Sequence, residues 1–235
     1  MGNLKAIFLD ADGTLVNHKE CEKQALMHLF ASIGVVYKDD YQDIFRPLDN
    51  ELWENECYKD QPVQREDIPV YRFKILFELI NIQYDDYAKA NDLFKEGLAS
   101  STALMENAVE LVEKLYGEGF ILCVVTNGLI ELQRPRIVNS RIGRFISHII
   151  VSEEVGAHKP NPLIFNELLK RLQLNPEDVI MVGDSLRNDI QGAANAKIKS
   201  IWFNPKGMKN ETDISPDYEV NCLLDVVTKI LAIQS

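Results

Sequence analysis

Short runs of apolar, mostly β-branched residues recur along the chain, and each halts at a polar residue. Lys5–Leu9 halts at Asp10, Phe120–Val125 at Thr126, and Val179–Val182 at Gly183-Asp184. Unbroken apolar runs of this length predict strands buried on both faces. Two more strands are predicted at 148–151 and Lys199–Phe203. Between them, apolar residues at helical spacing predict helices over 106–116, 131–140, 162–172, 188–196 and 222–233. Strand and helix in alternation predict an α/β fold with a largely parallel sheet, Rossmann-like in layout, covered on both faces.

Residues 18–100 break this alternation. Leu26, Leu29, Phe30 and Ile33 recur at helical spacing, as do Phe73, Leu76, Phe77 and Ile80, and no stretch alternates long enough to make a strand. Asp60–Pro69, with Pro62 and Pro69, reads as a connection. The simplest assembly is a core of residues 1–15 and 101–235 with an α-helical insert, 16–100, entering after the first strand. That entry point is at the carboxyl edge of the sheet, where open α/β sheets bind ligands. The insert is therefore expected to act as a cap.

A chain of 235 residues suits one such core with a modest insert. The net charge of -11 argues against a polymeric nucleic-acid partner, but a metal ion and a lysine can reverse the field inside one cleft and admit a small anion. Cys21, Cys57, Cys123 and Cys222 are far apart, with no CxxC pair, so neither a disulfide scaffold nor a zinc site is expected. The four histidines, 18, 28, 148 and 158, share no ligand spacing. No apolar stretch reaches the length of a membrane span and no signal peptide is evident, so the expected setting is cytoplasmic, with no membrane partner. Neither GxGxxG nor GxxxxGK[ST] occurs, which argues against a dinucleotide fingerprint or a P-loop.

The chemistry lies where the strands end. Asp10 and Asp12 flank Ala11 ahead of Gly13-Thr14. Asp10 suits either a hard-metal ligand or a nucleophile that forms an aspartyl-phosphate. Asp12 is placed to protonate a leaving oxygen and then to deprotonate water. A plain turn or part of a calcium loop is the competing reading, though a calcium loop needs further oxygen ligands where Leu15, Val16 and Cys21 stand. Thr126, with the backbone N–H groups of Asn127 and Gly128, can hold phosphoryl oxygens, although Asn-Gly is also a common turn. Lys159, before Pro160, can neutralise phosphate and the Asp10 carboxylate. Asp184 is a second strand-end carboxylate and metal candidate. Asp189 can bind metal through water, orient Lys159, or only favour a helix start that Asn188 could cap. Together these residues read as a Mg²⁺-dependent phosphoryl-transfer site.

The ordered segments FLDADGTL (8–15), VVTNG (124–128), KP (159–160) and GDSLRNDIQGA (183–193) resemble those of the haloacid-dehalogenase-like hydrolases with a small helical cap. The resemblance implies Asp10 as nucleophile and Asp12 as general acid/base, with the Asp12 carbonyl also on Mg²⁺. It implies Thr126 and Lys159 on phosphate, and Asp184 and Asp189 as the acidic pair. Dehalogenase members lack the second aspartate, so phosphoryl chemistry is implied. The segments PLDNELW (47–53), TNGLIELQRPR (126–136) and SEEVGAHKP (152–160) resemble the YjjG-like pyrimidine 5'-nucleotidases, which implies UMP, dUMP or dTMP as substrate. Trp53 and Asn50 are the expected substrate contacts in the insert, whereas Tyr58, Tyr71, Phe73 and Phe77 are expected to be core. Relatives usually carry Ala-Gly where this chain has Ala196-Lys197. The rival readings are a phosphatase of a sugar phosphate or phosphoglycolate on the same core, and a binding or regulatory protein that has kept the fold.

Overall fold

The computed structural model describes residues 4–58 and 61–234, leaving aside the side chains of Glu54, Cys57 and Gln61. In chain order the elements are β1 (Ala6–Leu9), α1 (His18–Ser32), α2 (Asp40–Asn55), β2 (Cys57–Tyr58), β3 (Gln61–Pro62), α3 (Ile68–Leu79) and α4 (Tyr87–Ser100). There follow α5 (Ala108–Gly117), β4 (Ile121–Thr126), α6 (Ile130–Val138), β5 (His148–Val151), α7 (Ser152–Val155), α8 (Leu163–Leu172) and β6 (Val179–Gly183). A π-helical turn, Leu186–Ile190, leads into α9 (Gln191–Asn195), β7 (Lys199–Phe203), β8 (Tyr218–Val220) and α10 (Leu223–Gln234). The chain divides into two compact units, Met1–His18 with Thr102–Ser235, and Lys19–Ser101.

The first unit is built on a six-stranded parallel sheet in the order β5-β4-β1-β6-β7-β8. Its central strand β1 is wholly buried, as its apolar sequence requires. Alternate residues Ala6, Phe8, Cys123, Val125, Ile150, Val179 and Met181 form one buried cluster with Ile164, Phe165, Leu168 and Leu169 of α8. The intervening residues Ile7, Leu9, Leu122, Val124, Ile180 and Val182 are just as buried, because successive side chains leave a strand on opposite faces. Leu9 is level with Val124 on one side and Val182 on the other. That register brings Asp10, Thr126 and Asp184 out together at the carboxyl edge.

The second unit is helical. Phe45, Phe73 and Phe94 pack ring against ring, with centroids 5.3–5.6 Å apart. The buried Arg72 guanidinium lies 4.8 Å from the Phe94 ring centre and bonds Asp49 and Asn91 at 3.0 Å each. Phe73 and Phe77 are core residues, as expected.

Three expectations need correction. The insert is not purely helical: β2 and β3 pair antiparallel, each too short for alternation to reveal. Residue 60 of the expected Asp60–Pro69 connection lies outside the described residues. The helix expected over 188–196 begins as the π turn, with Ser185 and not Asn188 at its cap: Ser185 Oγ accepts from the Asn188 N–H at 3.1 Å. Strand β8 was not foreseen, because three residues carry no periodic signal. Cys21 and Cys123 are buried free thiols and Cys222 is a half-buried one; the Cys57 side chain lies outside those described.

Lys197 does adopt the left-handed conformation, at φ 62°. A side chain there costs about 1 kcal/mol relative to glycine. Lys197→Gly is expected to raise stability by roughly 0.5–1 kcal/mol, allowing for the freer unfolded chain. A urea midpoint that rises with unchanged slope would show it; an unchanged or lower midpoint would count against backbone strain.

Candidate active site

Asp10 leaves β1 still bonded to the next strand, its N–H donating to the Val182 carbonyl at 2.9 Å. Its side chain is 8% exposed. Lys159 Nζ sits against it, 2.5 Å from Asp10 Oδ1, 2.7 Å from Asp189 Oδ1 and 2.8 Å from the Val125 carbonyl. All three ammonium hydrogens thus have acceptors. Burial alone would push the Lys159 ammonium down, but Asp10 and Asp189 outweigh it and hold it above its ordinary value. Asp189 has two roles in place: it receives Lys159 and accepts the Ser185 N–H at 3.0 Å. Of the alternatives read from the sequence, orientation of Lys159 is directly visible.

Oxygens of Asp10, Asp184 and Asp189 lie within 4.8 Å of one another. Crowded carboxylates resist ionisation. Burial, then Asp189, push Asp10 well above its ordinary range despite Lys159. Burial, then Asp189, push Asp184 up to about 6. A small hard cation with oxygen ligands answers both conditions, so these residues are positioned to hold a divalent metal such as Mg²⁺. Two glycines make the crowding feasible. A Cβ on Gly13, which has φ +88°, would stand 2.3 Å from Asp184 Oδ2, and one on Gly183 would stand 2.3 Å from the Asp189 carboxyl carbon. Trp202 Nε1 donates to the Asp184 carbonyl at 2.9 Å, steadying that strand end.

Asp12 is placed differently. Its carboxylate is not in this cluster. Arg136 Nη2 lies 2.6 Å from Oδ1, Gln133 Nε2 lies 2.8 Å from Oδ2, and His18 Nδ1 lies 3.3 Å from Oδ1. Burial opposes its charge, but Arg136, aided by His18, holds Asp12 well below the usual carboxylate range. The structure therefore gives the two carboxylates separate surroundings: Asp10 faces a lysine and two acids, Asp12 an arginine, an amide and a histidine.

Thr126 is buried, with its hydroxyl donating to the Asn127 carbonyl at 3.2 Å. The Asn127 side chain bonds Lys159 twice, Oδ1 accepting its N–H at 2.8 Å and Nδ2 donating to its carbonyl at 3.1 Å. Gly128, expected to offer its N–H to phosphate, instead donates it to Ser152 Oγ at 3.0 Å, while His158 Nδ1 lies 2.8 Å from that hydroxyl. Glu153 accepts from the Ile130 N–H, and Glu154 pairs with Arg134 and Arg171. Trp53 and Asn50 lie one turn apart on α2 in the helical unit; Trp53 is half-buried with the Arg65 guanidinium 5.3 Å from its ring centre, and Asn50 is exposed.

Arg136 and Gln133 were absent from the expected site. Their signal was the segment TNGLIELQRPR itself. Gln133, Arg136 and Ile137 form the buried stripe of α6, so two polar residues stand where a helix normally presents apolar ones.

The carboxylate cluster makes a pH-dependent prediction. Asp184 is pushed from 3.8 to about 6 in the fold. Such a group is neutral for stability below its unfolded value and opposes folding once ionised above its folded one. A cation that takes the ionised form relieves that penalty. Excess Mg²⁺ is therefore expected to raise the thermal midpoint at about pH 7.5 and much less at about pH 5. Equal shifts at both pH values would remove Asp184 from the metal site.

Comparison with known proteins converges on one family. The haloacid dehalogenase-like hydrolase profile matches residues 7–203. The pyrimidine 5'-nucleotidase PynA of Streptococcus pneumoniae is 29% identical over 224 residues, covering 95% of this chain and 93% of that protein. The glyceraldehyde 3-phosphate phosphatase of Pyrococcus furiosus is 29% identical over 208 residues, covering 86% and 82%. The solved structure of the HAD-hydrolase YfnB of Bacillus subtilis, described as bound to magnesium, superposes with a TM-score of 0.85 at 27% identity, covering 97% of this chain and 99% of that one. With its parallel core, its inserted helical region and its aspartate cluster at the sheet edge, this chain belongs to the haloacid dehalogenase-like hydrolases.

Proposed function

We propose that this protein is a nucleoside 5'-monophosphatase acting on UMP, dUMP or dTMP through an aspartyl-phosphate at Asp10. The observation that carries the chemistry is the pairing of a buried Asp10–Lys159–Asp189 array with a second, separately held aspartate, Asp12. One carboxylate is available to bond phosphorus and the other to move protons. The likeness to a pyrimidine 5'-nucleotidase along nearly the whole chain supports the choice of substrate.

In this reading, Asp12 takes up the proton of the substrate monoanion, an Asp10 oxygen attacks phosphorus as the bond to the ribose oxygen breaks, and Asp12 gives that oxygen the proton. Water then attacks the phosphorus and gives a proton to Asp12. The Asp10–phosphorus bond breaks, inorganic phosphate leaves carrying that proton, and both carboxyl groups return to their starting states. Lys159 keeps its proton throughout and offers fixed positive charge to the phosphoryl oxygens, while Thr126 supplies a hydroxyl. Mg²⁺, when held by Asp10, Asp184 and Asp189, with the Asp12 carbonyl as a further ligand, would add charge neutralisation on the same oxygens.

A second reading has its own support. The equally identical glyceraldehyde 3-phosphate phosphatase points to a triose or other sugar phosphate on the same core. Phosphate release from UMP, dUMP, dTMP, CMP, AMP, GMP, phosphoglycolate and several sugar phosphates, with Mg²⁺ and with EDTA, separates the two. The expected result is highest kcat/KM on the uracil and thymine monophosphates, abolished by EDTA. A peak on a sugar phosphate would retain the mechanism and discard the nucleotide. Asp10→Asn is expected to release no phosphate from any of them; near-normal turnover by that variant would sink the nucleophile assignment.

A further inference from the structure

Arg136 is among the largest fully buried side chains of the protein, 1% exposed. A guanidinium in that position is costly unless its charge is matched closely. Here the match is one carboxylate. Nη2 lies 2.6 Å from Asp12 Oδ1 and Nη1 lies 3.3 Å from Oδ2. A planar fork on both oxygens fixes a carboxylate's orientation as well as its position.

Gln133 reinforces the fork from one turn earlier on α6. Its Nε2 lies 2.8 Å from Asp12 Oδ2 and 3.2 Å from the Asn127 carbonyl, and its Oε1 lies 3.4 Å from Arg136 Nη1. The same amide therefore touches Asp12 and the loop that follows Thr126. Without these contacts Asp12 would be a partly exposed side chain on a turn, its carboxyl met only at Oδ1, by His18 Nδ1 at 3.3 Å, among the partners named above. These bonds run to Asp12, to the Asn127 carbonyl and between the two residues themselves.

We propose that Arg136 and Gln133 are positioning residues for Asp12: they fix the orientation of its carboxyl for proton transfer and take no part in holding phosphate. This rests on the reading of Asp12 as the proton carrier.

The test compares two substrates that differ in their need for a proton. The p-nitrophenolate of p-nitrophenyl phosphate leaves without one, whereas the ribose oxygen of UMP, or of whichever alkyl phosphomonoester the wild type turns over best, does not. For both, kcat/KM reports steps up to and including the first phosphorus–oxygen cleavage. Arg136→Met is expected to lower kcat/KM for the alkyl ester roughly 10- to 100-fold and for p-nitrophenyl phosphate by less than about threefold. A burst of p-nitrophenolate should then precede slow turnover, because the later attack of water still needs Asp12. Arg136→Lys, which keeps the charge but loses the fork, should recover part of the loss.

Removing one member of a buried pair can prevent folding, so Gln133→Leu provides the independent case. It should show the same split at roughly tenfold, the lower value for one hydrogen bond to a charged group. Asp12→Asn is the reference. If Asp12→Asn shows the split while the folded Arg136 and Gln133 variants lose activity equally on both substrates, or on neither, the positioning proposal fails alone. If Asp12→Asn shows no split, the proton-carrier reading fails and the positioning role falls with it.

Discussion

Several carboxylates cannot share the edge of one buried sheet without positive charge among them, and the organisation of this site follows from that requirement. Asp10, Asp184 and Asp189 lie close enough to bind one ion. Lys159 meets two of them with a single ammonium group, and the burial that isolates them also strengthens the interaction. The balance still leaves Asp10 and Asp184 reluctant to ionise. The unmet negative charge is itself the affinity for a metal cation, so resident lysine and bound metal are two shares of one electrostatic demand.

Asp12 meets the same demand by other means. Its compensating charge comes from a helix that contributes nothing to the cluster. One dipeptide step along the chain thus separates two electrostatic environments. A site that needs one carboxylate as nucleophile and another as proton carrier gains from keeping their titrations apart. Gly13 makes the step feasible, since its backbone passes where a side chain would collide with Asp184.

The strand-end residues were legible in the sequence for a physical reason. A parallel sheet buried on both faces demands unbroken apolar runs, and the first polar residue after each run marks the carboxyl edge. Asp10, Thr126 and Asp184 stand out in that way, and the order of the elements followed from the same runs. Other features left no comparable mark. Arg136 sits on the inward stripe of α6, where periodicity alone would read a surface residue. The two bonds from the Asn127 side chain to Lys159 join residues on separate loops, and no local pattern encodes such a tie. The π turn was hidden because an extra residue in one turn changes spacing by less than the apolar pattern resolves. Lys197 was legible as a departure from an Ala-Gly ending, and its positive φ agrees.

The placement of β1 has a consequence for the newly made chain. This strand is first in sequence and central in the sheet, and its neighbours on both sides, β4 and β6, lie beyond the helical unit. During synthesis from the N-terminus, the helices of Lys19–Ser101 emerge with mostly local partners, while β1 has neither of its own. Its apolar backbone edges stay open until β4 closes one and β6 the other. The strand that leads into Asp10 is thus translated before both of its partners and is among the last satisfied, and a ribosome stalled before β6 would hold a finished helical unit and an unfinished sheet.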